Sequence, residues 1–220
     1  MLEAQTREHY VDTLRGWIGR NEQDGSHRLI IDTYNSMREL PRNYAVTYAD
    51  AWCAATVSAA AIEAGLTDII PRECSCARMI ARFQEMGRWM EKDSYVPLPG
   101  DIIFYDWQDS GKGDNTGAPD HVGVVEKVTD GLITVIEGNY HDAVRRRNIA
   151  VNGRFIRGYG LPDYASVSDS PPPPEAAAKP LTNGGFIRSM DNADLAAFLE
   201  NPPPLAVGQS WLDWLNAPAL

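Results

Sequence analysis

Along residues 6–20 the apolar side chains Tyr10, Leu14, Trp17 and Ile18 recur three or four positions apart. That spacing is the stripe of a helix with one face in a core. A second helical pattern runs through LIIDTYNSM, residues 29–37, and Pro41 closes it. In DAWCAATVSAAAIEAG, residues 50–65, Asp50 suits an N-cap, the alanines supply helix propensity and Gly65 suits the stop. CARMIARFQEMG predicts a further helix that ends at Gly87.

From Pro97 the texture changes to strands. PLPGDIIFYDW reads as a turn followed by β-formers, and HVGVVEKV and LITVIEGN read as two strands joined by Thr129-Asp130-Gly131. Asn152-Gly153 predicts another hairpin, and the sheet should end near GYGLP. Helices first and an antiparallel sheet after them give an α+β class. PPPPEAAAKP, residues 171–180, reads as a semi-rigid linker, so the expected domains are 1–168, a linker over 169–180, and a segment over 181–220. That last segment carries two short helical patterns, NADLAAFLE and SWLDWLN, which bury too little to fold alone. It should dock on the main domain, on a partner or on a second copy.

Alternation along the central hairpin assembles a site. A three-residue loop ending in glycine sets Val128 opposite Leu132, Gly123 opposite Glu137 and His121 opposite Asn139. His121, Glu137 and Asn139 then share one face, with only a glycine between histidine and carboxylate. A two-residue Asp130-Gly131 turn would shift this register by one and separate His121 from both partners. Cys53 sits near a helix start, where the dipole and a nearby imidazolium favour a thiolate. Histidine can then shuttle the proton and Glu137 can hold its tautomer, with Asn139 as a further hydrogen-bond partner and backbone amides for the oxyanion. Taken singly, Cys53 reads as core filler and His121 as an ordinary surface histidine. Glu137 in an apolar strand demands a partner.

Composition narrows the classes. A net charge of −10 argues against a general nucleic-acid binder. The run Arg145-Arg146-Arg147 reads as a solvated strand edge, or as a contact for a substrate carboxylate or wall phosphate. The polar start, MLEAQTREHYVD, reads as neither signal nor transit peptide, and no apolar run is long enough for membrane insertion. Cys53, Cys74 and Cys76 do not make a disulfide framework, and Cys74-Ser75-Cys76 lacks the ligands for zinc, so the latter two read as helix or core cysteines. DSGKGDNTGAP, residues 109–119, misses both the phosphate-loop and the EF-hand spacing.

AWCAATVS, PLPGDIIFYDW, DHVGVVEKV, TVIEGN and GYGLP together resemble the CHAP family of papain-like cysteine amidohydrolases and peptidases, over about residues 6–165. The resemblance puts the nucleophile on Cys53, the general base on His121 and the polar partners on Glu137 and Asn139. It implies peptidoglycan hydrolysis through an acyl-enzyme, by a muramoyl-alanine amidase or a peptide endopeptidase of the phage or prophage endolysin kind. Some relatives carry an acidic calcium loop ahead of the cysteine; TYADAWC offers only Asp50, so no metal and no cofactor is expected. Trp52, Trp107, Asp120 and His141 are candidates for the substrate groove, whereas Trp17 and Trp89 read as core and His9 and His27 as non-catalytic. Such a protein would be made in the host cytoplasm and reach the wall after release. The competing readings are a housekeeping wall-remodelling enzyme, a catalytically silent wall-binding or virion-structural module, and a cytoplasmic deconjugating protease.

Overall fold

The computed structural model describes residues 2–92, 94–112, 115–168 and 210. The expected linker, all of the 181–220 segment but residue 210, and two positions of the Gly-rich loop lie outside them. One compact unit spans Met1–Asp169. Its helices are α1 (Glu3–Arg15), α2 (Arg28–Asn35), α3 (Cys53–Glu63), α4 (Cys76–Glu85) and a short α5 (Tyr164–Ser168). None of them is long and apolar enough to cross a membrane. The strands are β1 (Trp89–Met90), β2 (Ile102–Tyr105), β3 (His121–Thr129), β4 (Leu132–Glu137), β5 (Arg145–Ala150) and β6 (Ile156–Gly160). They form one antiparallel sheet in the order β1-β6-β2-β3-β4-β5.

α3 is the central helix. Every side chain from Cys53 to Ala61 is buried, and its alanines, serine and threonine let α1, α2 and β3 approach closely. The helix ends as its glycine demands. Gly65 (φ 70°) closes a Schellman motif, with Leu66 N–H donating to Ala61 O and Gly65 N–H to Ile62 O. Gly87 ends α4 the same way, on Phe83 O and Gln84 O. The start of α3 differs from expectation. Its cap position is Trp52 with no side-chain cap, and the Asp50 carboxylate instead accepts from Thr47 N, Thr47 Oγ1 and Tyr44 Oη. Asp50 stabilises the preceding turn rather than the helix.

The sheet has two apolar faces. Ile102, Phe104, Val122, Val124 and Ile136 pack with the helices, whereas Ile103, Tyr105, Val125, Ile133, Val135, Ile156 and Tyr159 form a second cluster on the far face. Asn152-Gly153 is not a hairpin turn between neighbours, because β5 pairs with β4 and β6 with β2 and β1. The turn starts a crossover from one sheet edge to the other side of β2. Local chemistry made the turn, and long-range packing chose its strands.

The β3–β4 hairpin also departs from expectation. Thr129 pairs with Leu132, so Asp130 (φ 51°) and Gly131 (φ 74°) form a two-residue turn with left-handed backbone at both positions. Pairing then shifts between Val125 and Lys127, where Glu126 is the extra residue of a β-bulge. Beyond the bulge Val125 faces Val135 and Val124 faces Ile136. Two one-residue offsets cancel, so the far end of the hairpin has the expected register for another reason.

Candidate active site

Gly123 and Gly138 allow the close approaches on which the site depends. A Cβ at Gly123 would sit 2.6 Å from Glu137 Cγ and 2.6 Å from Val135 Cγ1. A Cβ at Gly138 would sit 1.9 Å from Thr56 Oγ1, on the first turn of α3. The end of β4 therefore lies directly against the helix that begins with Cys53. His121 opens β3, paired with Tyr105 of β2 and stacked near its ring, with a centroid separation of 6.0 Å.

His121 Nε2 lies 3.1 Å from Glu137 Oε2. The charges of the imidazole and of the Cys53 sulfur act on each other. Glu137 is fully buried and takes a second cation, with Arg147 Nε donating to Oε1 at 2.8 Å and to Oε2 at 2.9 Å. The Arg147 guanidinium also lies 3.9 Å from the centroid of Tyr140 and 4.9 Å from that of Trp107. Imidazole, carboxylate and guanidinium form one continuous hydrogen-bonded chain.

The charge states follow from these contacts. Burial works against a charged ring at His121, but the Cys53 sulfur and Glu137 outweigh it and push its pKa up to about 9. The neighbouring Cys76 thiol holds the Cys53 pKa well below the ordinary thiol value; burial opposes this, and His121 adds to it. Burial would raise Glu137, yet His121 and Arg147 bring it below the usual carboxylate value. These shifts favour a thiolate beside an imidazolium, with the carboxylate behind held ionised.

The remaining candidate residues fall in different places. Asn139 adopts left-handed backbone (φ 56°) past the end of β4, and among the described residues no hydrogen bond joins it to His121. The second contact on Glu137 comes from Arg147. Trp52 is 0% exposed and cannot line a groove: its indole N–H donates to Glu22 Oε1 at 2.9 Å, and its ring packs on buried His27. Trp107 stacks on Tyr105 with centroids 4.9 Å apart and lies 6.2 Å from the His121 ring, so it does border the site. Asp120 is exposed and accepts from Trp107 N at 2.7 Å. His141 is exposed in a separate cavity of about 520 Å³ with Asn21, Glu22 and Arg145.

Two residues of the site were not legible in the sequence as such. Arg147 belongs to a basic run that reads as solvated, yet Arg146 and Arg147 both turn onto buried carboxylates, Glu126 and Glu137. Cys76, read as a core cysteine, has its sulfur 3.8 Å from that of Cys53. The one hint of Arg147 is indirect: both oxygens of a buried carboxylate need partners, which calls for a donor beyond the histidine. Among the described residues no group of three or more His, Cys, Asp or Glu side chains is arranged to hold a metal ion.

Neither the curated proteins nor the solved structures yield a match to the chain. The family model for the CHAP domain matches residues 43–139, a stretch that takes in Cys53, Cys76, His121 and Glu137 and stops short of Arg147. Residues 43–139 thus match a CHAP domain, which indicates a family of amidases and peptidases of the peptidoglycan-hydrolase type.

Proposed function

We propose that this protein hydrolyses an amide of bacterial peptidoglycan, with Cys53 as nucleophile, His121 as the proton carrier and Glu137 as the group that orients it. The observation that carries the reading is His121 held at 3.1 Å by the fully buried Glu137 carboxylate, with the electrostatic pull of that imidazole acting on the Cys53 sulfur. A buried glutamate is tolerable only when its charge is matched, and here the match runs through the imidazole that faces the thiol.

The Cys53 thiolate attacks the carbonyl carbon, and the oxyanion is met by backbone amides at the start of α3, whose first intrahelical bond is made by Thr56 N–H to Trp52 O. The imidazolium gives its proton to the departing amine, the C–N bond breaks and an S-acyl enzyme remains. Neutral His121 then takes a proton from water, hydroxide attacks the thioester, and the carboxylic acid leaves as Cys53 regains its thiolate. Glu137 keeps one tautomer throughout, because its carboxylate accepts from Nε2 and leaves Nδ1 for the sulfur side. A recess of about 250 Å³, lined by Arg42, Tyr44, Val46, Asp50, Ala51, Cys74 and Ser75, adjoins the residues that lead into both buried cysteines.

The wider reading is an endolysin-type enzyme that acts on the wall after release. The test is digestion of purified peptidoglycan by the full chain and by Cys53→Ala, with fragments read by mass spectrometry. Lactyl-muramic acid freed from L-alanine identifies an amidase, and new amino termini within the stem or bridge identify an endopeptidase. Equal cleavage by Cys53→Ala overturns the nucleophile. Wall binding without cleavage by the wild type would favour the silent module instead.

A further inference from the structure

Cys76 is the first residue of α4, as Cys53 is the first of α3, and the two buried thiols lie 3.8 Å apart. The approach is built into the fold. Ser58 Oγ accepts from Glu73 N at 2.8 Å and donates to Glu73 O at 2.6 Å, which fixes to α3 the segment leading into α4. Ser75 caps α4 by accepting from Arg78 N. Cys76 then begins the buried stripe Cys76, Met79, Ile80 and Phe83, so its side chain turns inward. Two helix N-termini and two sulfurs converge at the point where the proposed reaction begins.

The surroundings of the two sulfurs differ. The His121 imidazole acts electrostatically on Cys53, whereas the Asp120 carboxylate acts on Cys76. Glu137 and Arg147 stand behind the imidazole. A negative charge is therefore favoured on one sulfur and opposed on the other.

We propose that Cys76 is a positioning residue whose S–H donates to the Cys53 sulfur in the resting site, fixing which thiol is the thiolate and holding it toward His121. This rests on the proposed role of Cys53. The Cys76 proton is never transferred. The hydrogen bond weakens as the Cys53 sulfur enters the thioester and forms again when the thioester breaks. Consistent with this arrangement, contact with Cys53, burial and the Asp120 charge hold the Cys76 pKa well above the ordinary thiol value.

The test needs no substrate. Full-length wild type, Cys76→Ala and Cys76→Ser are treated with iodoacetamide across the pH range, and the rate at Cys53 is read from its peptide by mass spectrometry. Loss of one charge-assisted donor should move the acid-side inflection of Cys53 upward by about one pH unit in Cys76→Ala. Cys76→Ser keeps a donor and nearly the same volume, so it should restore most of the shift and serves also if the alanine variant folds poorly. A Cys76→Ala profile that overlies the wild type, or a serine variant no better than alanine, overturns the proposal. A wild-type Cys53 with no inflection below the ordinary thiol range is a different failure: it removes the thiolate, and the proposed hydrolytic mechanism with it.

Discussion

His121 Nε2 and Glu137 Oε2 stand 3.1 Å apart because a bulge at Glu126 undoes the register of a short turn. With the two-residue Asp130-Gly131 turn alone, alternation would put these side chains on opposite faces of the sheet. The extra residue restores the pairing and increases the local twist. Glu126 is itself held by Arg15 at 2.8 Å and by Arg146 at 2.6 Å. The bulge is thus anchored to α1 and β5 by an ion cluster well down the strand.

The pH dependence of hydrolysis follows from the charged pair. The His121 pKa is raised to about 9 and that of Cys53 is lowered, so the thiolate–imidazolium state exists between them and is lost as pH rises through about 9. Glu137→Gln removes the charge that supports the imidazolium. The alkaline limb of kcat should then move toward neutral pH, and kcat should fall by about 100-fold or more while the fold persists. Activity profiles and melting curves of the two proteins check this. An unmoved alkaline limb would mean that Glu137 does not act on His121.

Arg147 and Asn139 should behave differently, although both adjoin the end of β4. Arg147→Met keeps an apolar stem against Tyr140 and Trp107 but removes both hydrogen bonds to Glu137. Loss of a bond to a charged group corresponds to about tenfold or more in an equilibrium, so kcat should drop by about tenfold with KM little changed. Asn139→Ala should stay within about twofold of wild type, because no hydrogen bond to His121 is lost. Steady-state kinetics on a soluble wall fragment distinguish the two. A large loss in Asn139→Ala would restore it as a partner of the histidine.

What the sequence revealed tracks how local each signal is. Gly65 and Gly87 announce their helix ends because a Schellman motif is written within a few residues. The face shared by His121 and Glu137 was legible from alternation. The bulge that preserves it was not, since the only trace of an extra residue is one carboxylate in an apolar run. Asn152-Gly153 marks a turn but not which strands it serves, because β5 and β6 find partners far along the chain. Trp52 misled through adjacency: it precedes the nucleophile in sequence, yet its indole turns inward to Glu22. Cys76 was hidden for the same reason as Arg147. Their roles come from contacts between elements that no spacing encodes.

Glu126 gives a stability test that leaves the reacting groups intact. Its carboxylate is 6% exposed, and Arg146 and Arg15 outweigh burial to bring its pKa down from 4.5 to about 2. A depressed carboxylate contributes stability above its unfolded pKa and loses it as pH falls through the folded value. Glu126→Ala keeps the residue count, and so the register, but strands the partly exposed Arg146 and leaves Arg15 with Glu8 and Asp12 alone. It should be destabilised by about 1–2 kcal/mol at neutral pH, a modest figure because solvent screens those guanidiniums. The gap between variant and wild type should narrow as pH falls from about 4.5 toward about 2, where the wild-type carboxylate also becomes protonated. Urea unfolding at neutral and acid pH measures both, and the alkylation rate of Cys53 in the folded variant should match that of wild type. A gap that stays constant into acid would assign the loss to packing at the bulge rather than to its charge.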